Sequence, residues 1–132
     1  MDNIIKKLNS ISEKRIEFFE AGGDKFDFYK WSKTYFEQIP LELEEALAEN
    51  KQNNSVYLED ELWDVFWDYL CLLNSLKVEW KINSVDDVFK RVYKKYSERI
   101  NKNTWENNWL WKDVKKLQKE ELKKEHNLIY KK

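Results

Sequence analysis

Two glycines and one proline are all that 132 residues contain for turning the chain. Sandwiches and barrels need many such turns, and a loop that cradles phosphate needs glycines, so this composition excludes them. Helices remain. The length suits one domain, and the single cysteine, Cys71, cannot build an internal disulfide framework. The expectation is one all-α domain over residues 1–132, a helical bundle with its core at about 26–119 and a charged tail at 120–132.

Hydrophobic periodicity then divides the chain. Residues 3–21 carry Ile4, Ile5, Leu8, Ile11, Ile16, Phe18 and Phe19 on a loose helical stripe, ended by Gly22 and Gly23. Residues 26–36 are aromatic-rich and predict a second helix, and Pro40 suits the first turn of another that runs to Asn50. The polar stretch 51–55 reads as a loop in which Ser55 caps the next helix. From 56 to 76 apolar residues cover nearly every face, which predicts a central helix. Ser84 and Asp87 make a capping box for a helix to about Ile100, and residues 101–103 break it. Thr104 caps a last helix through Trp105, Trp109, Val114 and Leu117, and solvated charge follows Glu120.

Lys and Arg number 24 against 25 Asp and Glu, a balance that argues against binding a nucleic acid polymer through bulk charge. No charge-free apolar run of about 18 residues exists, and the N-terminus lacks a signal-peptide hydrophobic block. No membrane partner and a cytoplasmic location are therefore expected. Aromatics form 16% of the chain, more than a small helical core needs, so some are expected to face a ligand or a second subunit.

The acids carry the chemistry. On the central helix Glu61 and Asp64 lie about 60° apart and Asp68 returns to within about 20° of Glu61, so three carboxylates share one stripe. Burying one unpaired carboxylate is costly and three repel, yet residues 55–76 contain no Lys or Arg. Glu42, Glu45 and Glu49, at i, i+3 and i+7, make a second stripe on the preceding helix. Acids in a row are usually a solvated face, and for Glu42, Glu44, Glu45 and Glu49 alone that reading is the stronger one. The apolar helix beneath Glu61 and Asp64 argues against it there. Two facing stripes can surround a hard cation with carboxylate oxygens, the ligand set of Mg²⁺ or Mn²⁺. Zinc is disfavoured, because His126 lies in the charged tail and Cys71 in the hydrophobic run.

These residues resemble a known family. Glu42-Leu43-Glu44-Glu45 and Glu61-Leu62-Trp63-Asp64 look like the ExxE and ExxD pairs of the MazG-like all-α nucleoside triphosphate pyrophosphohydrolases. Residues 61–79 are similar to the family's metal helix and following turn, and residues 88–99 to its Lys and Arg segment. Trp111, Val114, Lys115, Gln118 and Lys119 resemble a Trp-x-x-Ile-Lys-x-x-Glu-Lys ending common in the MazG branch. Three departures stand out: Leu41 precedes Glu42 where the family often has an acid, Gln118 replaces the expected acid, and no His-Pro-His follows the basic helix.

The resemblance implies a MazG-like bundle of about five helices with a four-helix core, assembled as a homodimer or homotetramer. It implies hydrolysis of (d)NTP to (d)NMP and pyrophosphate, with clearance of surplus or non-standard nucleotides as a role. Glu42, Glu45, Glu61 and Asp64 would hold the cations, and Glu45, Glu49 or Asp68 would orient the attacking water. Lys95 and Arg99, or Lys94, would meet the phosphates, and Trp31, Phe36 or the region of Trp67 would wall the base. Two alternatives stand beside this reading: a non-catalytic helical interaction module, and the related phosphoribosyl-ATP pyrophosphohydrolase.

Overall fold

The computed structural model describes residues 2–101 and 111–130, and all regular structure among them is helical. Five α-helices follow in order: α1 (Asp2–Gly22), α2 (Ser32–Ala48), α3 (Ser55–Val78), α4 (Val85–Asn101) and α5 (Trp111–Tyr130), with a 3₁₀ turn at Gly23–Lys25. The expected all-α class and helix count hold. Among the described residues no helix is long and apolar enough to cross a membrane. The expected cap at Thr104, with Trp105 and Trp109, lies outside the described residues. The chain divides into two compact units, Met1–Val85 and Asp86–Lys132.

In the first unit, three expectations give way. Residues 26–31 are not helical, because Gly23 and Trp31 both adopt left-handed backbone (φ 55° each) and bracket a turn. Its aromatic rings serve as a plug: Phe19 of α1 stacks on Tyr29 at 5.0 Å and meets Phe26 edge-on at 5.2 Å. Gly22 lies so close to the Phe26 ring that a Cβ there would collide with it. Pro40 does not begin a helix; α2 starts at Ser32 and runs through it. Phe36, whose carbonyl loses its donor, and Pro40 are both exposed one turn apart, so the proline lies on the solvent side of α2. Ser55 does not cap α3. Asn54 precedes that helix, and its amide Nδ2 instead donates to the Glu49 carbonyl at 2.8 Å.

A carboxylate takes over the capping of α2. The Ser32 N–H donates to Glu79 Oε1 at 2.8 Å and the Ser32 hydroxyl to Oε2 at 3.0 Å. Glu79 ends α3, so the start of α2 lies beside the end of α3, and the two helices are antiparallel. Ile16, Phe19, Tyr29, Tyr35, Cys71 and Leu72 form the core between α1, α2 and α3. Asn74 ties α3 to α1: its Nδ2 reaches Ser12 Oγ at 2.7 Å and Asn9 Oδ1 at 3.1 Å.

In the second unit, α4 and α5 are joined by long polar side chains. Arg91 forks onto Glu125, Lys94 reaches Glu121 at 3.3 Å, and Arg99 Nε donates to Gln118 Oε1 at 2.8 Å. Numbers rising on α4 while falling on α5 make this pair antiparallel too. Residues 121–130 continue α5 and, apart from the half-buried Asn127, are exposed.

Candidate metal centre

Antiparallel packing of α2 on α3 brings the two acidic stripes together. Glu42, Glu45 and Glu61 each present a carboxylate oxygen, all within 4.8 Å of one another. A second group, Asp60, Glu61 and Asp64, meets the same limit and shares Glu61 with the first. Asp60 escapes stripe reasoning because neighbouring residues on a helix stand about 100° apart, and only its adjacency to Glu61 hints at it.

The cluster has charge without compensation. Glu42 Oε2, Glu61 Oε2 and Asp68 Oδ2 are buried and have no hydrogen-bond partner among the described residues. Asp68 is the deepest acid, 8% exposed. Withdrawal from water pushes its carboxyl up to about 6, and the charges of Glu42, Asp64 and Glu45 push the same way. Asp64 is also raised, by burial first and then by Asp60 and Glu42. Among the described residues one side-chain donor reaches these acids: Gln38 Nε2 donates to Glu42 Oε1 at 3.1 Å. The observed set is thus all carboxylate oxygen and short of hydrogen-bond partners, which fits a hard divalent cation.

Other expected site residues lie elsewhere. Glu49 is not in either group; its Oε2 accepts from Asn54 Nδ2 at 2.6 Å, in the loop that joins α2 to α3. Trp31, half exposed, places its ring 5.8 Å from Tyr29. Lys95 and Arg99 belong to the second unit. There Arg99 is buried against Gln118, whose Nε2 also donates to the Lys95 carbonyl at 2.9 Å and to Glu98 at 3.1 Å. Gln118, standing where the family pattern expects an acid, thus acts as a neutral bracket. Cys71 is buried, and its thiol is pushed up to about 12, mainly by desolvation, which leaves it unreactive.

A cleft of about 510 Å³ lies on the α1 side of α3, lined by Ile16, Asn74, Lys77, Val78 and Trp80 among others, and none of the clustered acids borders it.

Comparison with known proteins gives one match. The family model for the MazG nucleotide pyrophosphohydrolase domain covers residues 32–104, from the first residue of α2 onward, and so includes every acid of the cluster. No curated protein and no solved structure matches the chain.

Proposed function

The chain belongs to the MazG nucleotide pyrophosphohydrolase family, and on that premise we propose that it hydrolyses (d)NTP to (d)NMP and pyrophosphate at the carboxylates between α2 and α3. One observation carries the reading: Glu42, Glu45 and Glu61 converge within 4.8 Å, and Glu42 and Glu61 each keep a buried oxygen without a partner. Carboxylates held this close repel unless a cation joins them.

Glu42, Glu45, Glu61 and Asp64 would hold Mg²⁺, with Mn²⁺ as a substitute, and Asp60 extends that set. Sharing of Glu61 by two groups suits a pair of cations. The bound ion supplies charge neutralisation for the triphosphate and a lowered pKa for the attacking water. The chain's own part is to hold that arrangement rigid on two packed helices, and to orient the water through Asp68 or Glu45. Glu49, engaged by Asn54, is the weaker candidate for that task. Trp31 is the proposed substrate contact in the unit that holds the cluster, and Trp31→Ala should raise KM; Lys95 and Arg99, expected to meet the phosphates, lie in the second unit, where Arg99 is engaged by Gln118. A cytoplasmic homodimer or homotetramer that clears surplus nucleotides is the setting we propose.

The test is a panel of (d)NTPs with Mg²⁺, scored for products. Release of pyrophosphate and monophosphate is expected, and the double variant Glu61→Ala, Asp64→Ala should lose at least about 100-fold in rate. Orthophosphate with diphosphate would overturn the assignment. Phosphoribosyl-ATP as the sole substrate would move it to the related enzyme, and no response to metal would favour an interaction module.

A further inference from the structure

We infer that Gln38 is a positioning residue for the cation site, a role that rests on the metal-binding reading above. Gln38 is half-buried one helical turn before Glu42, and its Nε2 donates to Glu42 Oε1 at 3.1 Å. With Oε1 engaged, the oxygen left over is Oε2, buried and without a partner. Glu42 is one of the three acids that converge within 4.8 Å, so the bond restrains the carboxylate that must turn toward Glu45 and Glu61. Among the described residues no other side chain donates to Glu42, Glu45, Glu61, Asp64 or Asp68.

The chemistry of the donor matters. A lysine or arginine at position 38 would neutralise Glu42 and compete with the cation. An amide orients the carboxylate and leaves its charge intact. Donors of this kind behind a ligand fix its direction, and removing them weakens metal affinity by about 10- to 100-fold. A merely structural pair at i, i+4 on a helix would leave affinity untouched.

The experiment compares wild type, Gln38→Leu, which keeps the bulk and removes the donor, and Gln38→Ala as a second variant. Mn²⁺ binding to the full chain is followed by calorimetry and by the loss of free Mn²⁺ signal in electron paramagnetic resonance. Melting of the metal-free protein is measured in parallel. The expected result is a dissociation constant raised about 10- to 100-fold in both variants, with metal-free melting unchanged and turnover restored at saturating metal. Wild-type affinity in both variants would overturn the role of Gln38 alone. A wild type that binds Mn²⁺ no better than Glu61→Ala, Asp64→Ala would overturn the metal-site reading and this role with it.

Discussion

Asp68 shows how one side chain can oppose the stability of its own fold. It is 8% exposed, has an unpartnered oxygen, and its carboxyl is raised to about 6 by burial and by neighbouring acids. At neutral pH the charged form is therefore carried at a loss in the metal-free protein. Asp68→Asn keeps the shape and removes the charge. In the presence of a chelator it should gain about 1–2 kcal/mol, a rise of several degrees in melting temperature, while losing hydrolytic rate. Lower melting in Asp68→Asn than in wild type would show that the charge is not strained. The same residue also shows where sequence reasoning stops. Its place on the acidic stripe follows from helical spacing, but its depth follows from α2 lying over it, next to Tyr35 and Cys71 in the core.

At the level of helices, the join between the start of α2 and the end of α3 depends on Glu79. Burial alone would raise this carboxyl, yet the Ser32 amide and hydroxyl, with Lys81, hold it below its ordinary value. A depressed folded-state pKa means that Glu79 contributes stability above its unfolded pKa. That contribution is lost as pH falls through the lower folded value. Glu79→Gln should therefore cost about 1–2 kcal/mol at pH 7 in urea unfolding, with the gap from wild type closing below about pH 4. A gap that stays constant with pH would rule out the charged cap. No capping pattern in the sequence points to Glu79, because it lies 47 positions from Ser32 and only the antiparallel turn of the chain unites them.

Across the whole chain, charge is distributed unevenly. Residues 1–85 hold 17 Asp and Glu against 10 Lys and Arg, while residues 86–132 hold 8 against 14, although the total is nearly balanced. The acidic excess is in the unit that contains the cluster, so divalent cations should stabilise the protein beyond any general salt effect. With Mg²⁺ or Mn²⁺ at 100 times its dissociation constant, the gain should be about 2.7 kcal/mol, read as a rise in melting temperature. Glu61→Gln combined with Asp64→Asn should abolish that rise while leaving the fold intact. An equal rise in this double variant would place the cation elsewhere.

Helical class, the approximate helix count and the two acidic stripes were determined by sequence alone. Scarcity of glycine and proline and a 3.6-residue period are local properties that need no partner to express themselves. Local signals also misled: an aromatic run reads as helix, yet left-handed Trp31 delays the start of α2 to Ser32, and a proline reads as a start although α2 passes through it. Tertiary structure alone decided which acids meet. Glu42, Glu45 and Glu61 converge and Glu49 turns to Asn54, because the register of two antiparallel helices is set by core packing at Tyr35, Cys71 and Leu72, which no local pattern of acids encodes.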